Sequence, residues 1–184
     1  MKLTSNWKKE IKTIPNLLSI FRVTLLPFYL YFVLEKSFFL AGIIIVISGV
    51  SDFLDGFIAR KFNQITELGK LLDPVADKLT QLILILSIAW QQPVIWWVLG
   101  LFLVKEGFML LAGLIGLRKN VKLDGEWYGK VATTVIYSGM IILLLFPALP
   151  SIWVKWILSF IAYSLGQSFL LYSLAYRKLL KGID

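Results

Sequence analysis

Apolar residues fill this chain in long blocks separated by short polar breaks, rather than alternating with polar ones. Six blocks approach the roughly 20 residues that a helix needs to cross the hydrocarbon core of a bilayer. They are Leu17–Leu34, Phe38–Arg60, Gly69–Trp90, Val94–Leu117, Tyr128–Phe146 and Ile152–Tyr176. Several breaks carry turn formers, as in Glu35-Lys36-Ser37, Gln91-Gln92-Pro93 and Pro147-Ala148-Leu149-Pro150. The pattern predicts an all-α integral membrane protein: a single domain over 1–184, with six transmembrane helices in one bundle over 15–176. Ahead of the first block, KLTSNWKKEIKTIPN sets Leu3, Trp7 and Ile11 four residues apart, while Lys8, Lys9 and Lys12 project elsewhere. That spacing suits an interfacial amphipathic helix over 1–14; a disordered basic tail is the plainer reading. The first block has no small-residue cleavage signature and reads as a retained helix rather than a signal peptide.

Basic residues orient the bundle. Lys2, Lys8, Lys9 and Lys12 precede the first helix, and Arg60, Lys61 and Lys70 flank the second connection. Arg118, Lys119 and Lys122 fill the fourth connection, while Arg177, Lys178 and Lys181 follow the last helix. The opposite side carries only Lys36 and Lys155. Six spans with both termini in the cytoplasm, residues 177–184 forming a cytoplasmic tail, satisfy the positive-inside rule at every loop. The short loops and the lack of a transit peptide point to the cytoplasmic (inner) membrane of a bacterium.

Composition agrees and narrows the chemistry. At 58% hydrophobic and 16% charged, the chain has little with which to build a water-facing surface. It contains no cysteine and no histidine, so thiolate sites, disulfides and the usual general base are excluded. Carboxylates, hydroxyls, lysine and arginine remain, and they suit hard cations such as Mg2+ or Mn2+. The net charge of +8 is spread along the chain without a nucleic-acid motif. Anionic membrane lipids and phosphate-bearing substrates are the partners it implies.

Against this background, DFLDGFIAR at 52–60 and LLDPVADK at 71–78 stand out. Asp52 and Asp55 are three apart and share a helix face with Gly56 and Ala59; Asp73 and Asp77 are four apart. Both pairs lie about two turns or less from the cytoplasmic side on consecutive antiparallel helices, so they can converge. Converging carboxylates in a low-dielectric place repel one another unless a cation joins them. Metal-assisted phosphate chemistry, an ion relay in a transporter, and structural pairing with lysine all fit this spacing. Asp73-Pro74 also matches an ordinary helix N-cap followed by a first-turn proline. Gly56, Ala59 and Gly69 leave room for a close helix or a flat ligand group, and Arg60 stands at the mouth, placed for a phosphate.

These residues fill the pattern D-x-x-D-G-x-x-A-R-x8-G-x-x-x-D-x-x-x-D with Asp52, Asp55, Gly56, Ala59, Arg60, Gly69, Asp73 and Asp77. In this the chain resembles the CDP-alcohol phosphatidyltransferases. Ile14-Pro15-Asn16-Leu17-Leu18-Ser19-Ile20-Phe21-Arg22 is similar to that family's first helix, and Asp73-Pro74-Val75-Ala76-Asp77-Lys78 to its phosphatidylglycerophosphate synthase branch. The resemblance implies transfer of a phosphatidyl group from CDP-diacylglycerol to glycerol 3-phosphate, with CMP leaving. It implies one or two Mg2+ or Mn2+ ions on Asp52, Asp55, Asp73 and Asp77, with Asp77 as general base and Asp73 also catalytic. Gly56, Ala59, Arg60, Gly69 and Arg22 would bind the CDP-diacylglycerol, and the enzyme would be a homodimer.

The acceptor is written in weaker residues. Lys105, Arg118, Lys130 and Thr133 form a basic set suited to an acceptor that carries phosphate, although Arg118 and Lys119 also serve as ordinary cytoplasmic charges. Lys105 needs a partner inside an apolar helix, and Glu106 is expected to point ~100° away from it. The branch commonly reads G-K-x-K-T and R-E where this chain has Gly129-Lys130-Val131-Ala132-Thr133 and Lys105-Glu106. A different acceptor (phosphatidylglycerol, giving cardiolipin, or inositol phosphate or serine) stays open, as does a small ion-coupled transporter.

Overall fold

The computed structural model describes residues 10–62, 64, 66–118 and 127–181. It contains six long helices: α1 Ile14–Leu34, α2 Phe38–Lys61, α3 Gly69–Gln91, α4 Trp96–Arg118, α5 Trp127–Leu145 and α6 Ser151–Lys181. A short 3-10 turn, Pro93–Ile95, leads into α4. No strand occurs among the described residues. The expected interfacial helix falls mainly on residues 1–9, outside the described ones.

Among the described residues, five stretches are long and apolar enough to cross a membrane: Ile14–Leu34, Phe38–Lys61, Pro93–Gly113, Tyr128–Leu145 and Ser151–Arg177. The protein is thus all-helical with several candidate membrane spans. At 23 residues, α3 is about 34 Å long, enough to span. Its first half carries Lys70, Asp73, Asp77 and Lys78, and these polar residues are what lower its hydropathy. The aspartates thus sit on the polar first half of α3 and on the second half of an apolar helix, α2.

Two compact units divide the chain, Met1–Ser87 and Ile88–Asp184. In the first, α1 packs along α2. The buried stripe of α1 runs Asn16, Ser19, Arg22, Leu25, Leu26, Tyr29, Val33, and that of α2 runs Ala41, Ile45, Ser48, Ser51, Asp55. Both repeat every three or four residues, the spacing of one helix face. Each is apolar toward the α1–α2 turn and polar at the other end, so antiparallel packing brings polar meeting polar. Tyr29 Oη and Ser87 Oγ, 2.6 Å apart, join α1 to the far part of α3.

In the second unit, α6 packs on both α4 and α5. Its buried residues Val154, Leu158, Ile161, Leu165, Ser168, Tyr172 and Tyr176 recur at spacings of three or four, the seam of near-parallel helix packing. Tyr128 meets Tyr172 edge-on at 4.6 Å between ring centroids. Gly129 is where that approach is tightest: a Cβ there would lie 3.2 Å from Tyr172 ring carbons and closer still to its hydroxyl. Large side chains such as Phe28, Phe39, Phe53, Trp90 and Trp156 face outward, as lipid-facing positions do. In lipid, apolar exposure is not penalised, and close packing of this kind is what holds helices together.

Candidate active site

The polar end of the α1–α2 pair is the candidate site. Arg22 is buried, and its guanidinium pairs with two carboxylates of α2: Nη1 lies 2.5 Å from Asp52 Oδ1, and Nη2 donates to Asp55 Oδ2. One turn earlier on α1, Ser19 Oγ donates to Asp73 Oδ1 of α3 at 2.5 Å and lies 3.4 Å from Asp55 Oδ2. A hydroxyl has one proton to give, and the shorter contact takes it. Asp52, Asp55 and Asp73, from two helices, are therefore gathered by Ser19 and Arg22 from a third. Asp77 is half-buried one turn further along α3, where its Oδ2 accepts from Gln81 Nε2 at 3.0 Å and lies 3.9 Å from Lys78 Nζ.

A second polar knot fixes the start of α3. Asn16, fully buried, donates from Nδ2 to the Glu10 carbonyl at 2.8 Å and to Thr66 Oγ1 at 3.0 Å. Thr66 Oγ1 accepts the Gly69 N–H at 2.9 Å, and the Glu10 carboxylate accepts the Leu68 N–H at 3.0 Å. These are N-terminal cap contacts, satisfying donors that the helix itself cannot. They correct the reading of Asp73-Pro74 as a cap: α3 starts at Gly69 and Thr66 does the capping, which leaves Asp73 free to turn to Ser19. Gly69 is where α1 comes close, since a Cβ would stand 2.6 Å from Asn16 Oδ1. At Gly56 the space is used by Arg60, whose Nη2 lies 3.7 Å from where a Cβ would be. Ala59 is half-buried on the same helix.

In the second unit, Lys105 is buried and its Nζ lies 2.7 Å from Glu106 Oε1. This overturns the expectation that Glu106 points away. The two Cα–Cβ bonds diverge, but both side chains are long enough to fold back and meet. Lys130 is exposed and Thr133 half-buried on α5, whereas Arg118 ends α4 with its side chain outside the described residues. Ala132 is fully buried.

Sequence reasoning missed Ser19 and Asn16 as site residues. Their signal was present in the polar stripe at 16, 19 and 22 of an otherwise apolar helix. Among the described residues no group of three acid side chains stands as a ready metal ligand set, and Arg22 stands between Asp52 and Asp55. The chemistry of the donors still fits a hard cation: carboxylate and hydroxyl oxygens, with Asp52 and Asp55 on one guanidinium and Asp73 on the Ser19 hydroxyl.

A family profile described as CDP-alcohol phosphatidyltransferase matches residues 12–166, a stretch that holds the four aspartates with Asn16, Ser19 and Arg22. The chain belongs to the CDP-alcohol phosphatidyltransferases. It is accordingly an enzyme, a transferase of phospholipid biosynthesis, and members of its family generally depend on a divalent metal. This phosphatidyltransferase is 35% identical over 128 residues to the CDP-diacylglycerol–glycerol-3-phosphate 3-phosphatidyltransferase of Aquifex aeolicus, covering 67% of this chain and 70% of the relative. The Escherichia coli protein of the same name is 35% identical over 151 residues, covering 78% and 81%. A cardiolipin synthase (CMP-forming) of Streptomyces coelicolor is 34% identical over 143 residues, covering 73% and 66%.

Proposed function

We propose that this phosphatidyltransferase moves a phosphatidyl group from CDP-diacylglycerol to glycerol 3-phosphate, releasing CMP and forming phosphatidylglycerophosphate. The observation that carries this reading is the aspartate cluster itself, filled at every position of the family pattern. The names of the Aquifex and Escherichia relatives support the acceptor. Asp52, Asp55 and Asp73, with Asp77 one turn on, would hold Mg2+ or Mn2+. Bound there, the cation would supply positive charge against the donor's diphosphate and the departing CMP oxygen.

The remaining roles fall to this chain's own side chains. Asp77 accepts the proton of the acceptor hydroxyl; with no histidine in the sequence, a carboxylate base is the available solution. Arg60, lying along α2 over Gly56, meets donor phosphate, while Gly56 and Ala59 leave room for the cytidine. Lys105, Lys130 and Thr133, with Arg118, would bind the acceptor's phosphate. We further propose six spans, with α3 as the third, both termini and the site facing the cytoplasm of a bacterial inner membrane, and a single-domain homodimer. Trp90, Trp96, Trp97, Trp153 and Trp156 are all exposed and border connections that this topology sets on the outer side, where an aromatic belt belongs.

The Streptomyces relative favours a second reading, in which phosphatidylglycerol is the acceptor and cardiolipin the product. Lys105 in place of arginine and Ala132 in place of lysine weaken the phosphate-binding set in that direction. Purified enzyme given labelled CDP-diacylglycerol, Mn2+ and each acceptor separately decides between them. CMP release with glycerol 3-phosphate is the expected result, and chelation of the metal should stop it. Release with phosphatidylglycerol alone would move the assignment to cardiolipin synthesis. For the base, Asp77→Asn should abolish turnover while CDP-diacylglycerol binding is largely kept. Near-normal turnover in that variant would remove Asp77 from the role.

A further inference from the structure

We propose that Arg22 is a built-in placeholder for the divalent cation: it holds Asp52 and Asp55 together until the cation enters, and then gives up at least one of them. The inference rests on the reading that the aspartates bind a metal. Three observations carry it. First, one guanidinium bridges both carboxylates of the D-x-x-D pair, supplying the positive charge that two neighbouring carboxylates in a low-dielectric place require. Second, the two arms differ. Side-chain exposure is 2% for Arg22 and 5% for Asp55 but 56% for Asp52. The Asp52 contact is therefore the one that water or an incoming ion can reach and replace.

Third, Arg22 Nε is buried and has no hydrogen-bond partner among the described residues. A guanidinium kept for structure alone normally has its buried donors satisfied. This one is incompletely satisfied in the seat it occupies, as expected of a side chain with a second position. Charge points the same way. Asp52, Asp55 and Asp73 against Arg22 leave two negative charges uncompensated, room for one divalent ion, yet the guanidinium repels that ion for as long as it stays between the carboxylates. Arg22 thus keeps the metal-free site folded at the expense of metal affinity.

The test is Mn2+ binding to the purified protein without substrate, read from the loss of the free-ion paramagnetic resonance signal, together with thermal melting with and without Mn2+. Arg22→Gln should bind Mn2+ about tenfold tighter or more than wild type, since a repelling charge has been removed. Its melting temperature should be lower without the ion and gain more from it. Arg22→Lys keeps a buried cation and should fold; a single ammonium cannot hold both carboxylates, so it too should bind Mn2+ more tightly. Unchanged or weaker binding in Arg22→Lys or in a folded Arg22→Gln would overturn the placeholder role. Asp55→Asn separates this from the premise. If wild type binds Mn2+ and Asp55→Asn does not, the metal reading stands and the Arg22 variants alone judge the proposal. If wild type binds none, or Asp55→Asn binds as well, the metal reading falls and the placeholder with it.

Discussion

Ser19 donates its one proton to Asp73 while its oxygen stays near Asp55, so a hydroxyl on α1 sets the spacing of carboxylates carried by α2 and α3. Hydrogen bonds to charged groups contribute about 1.5–3 kcal/mol, and loss of this one should be felt at the site. Ser19→Ala is expected to lower kcat/KM by about tenfold or more, with weaker apparent Mn2+ affinity, whereas Ser19→Thr retains most of both. Steady-state CMP release titrated with Mn2+ checks this, and an alanine variant with unchanged metal dependence would remove Ser19 from the site. The aspartates were legible because charge inside an apolar run has few explanations. Ser19 was not, because a lone serine in an apolar helix ordinarily bonds back to the preceding turn. It does approach that position here, 3.2 Å from the Pro15 carbonyl. Only the arrival of α3 reveals its second use.

Helices were the most legible level, since hydrophobic length is written directly in the sequence. Phe38 and Gly69 open α2 and α3 as expected, and α1 begins at Ile14 rather than Leu17 because Pro15 is well tolerated in a first turn. The last helix runs on to Lys181, past Tyr176, because nothing in Arg177-Lys178-Leu179-Leu180-Lys181 breaks a helix once apolar burial no longer requires one. What periodicity could not give was which glycines mark contacts. Gly129 and Gly113 look alike in sequence, yet only Gly129 has a neighbour in the way of a Cβ. Gly129→Val should therefore push Tyr172 off α5 at a cost of about 1–3 kcal/mol, seen as a lower melting temperature in detergent. Gly113→Val, facing open space, serves as the control, and equal shifts in the two variants would refute the contact.

For the whole molecule, the proposed six-span arrangement can be tested cleanly because the chain has no cysteine of its own. Single cysteines at Lys36 and Glu67, both exposed, should label from opposite sides of intact cells with an impermeant thiol reagent, Lys36→Cys from outside and Glu67→Cys only after permeabilisation. Labelling of both from one side would overturn α2 as a membrane-crossing helix. The Arg22 bridge has a consequence for how such a chain is made. A helix bearing two aspartates enters a bilayer at a cost of about 2.5–3.5 kcal/mol for each charge near its centre, less toward the ends. Arg22 precedes Asp52 and Asp55 in the chain, and α1 packs directly on α2. Newly synthesised α2 thus meets its counter-charge on the helix already emerged. The pair can insert as a hairpin with one of its two aspartate charges compensated by Arg22, before Asp73 leaves the ribosome.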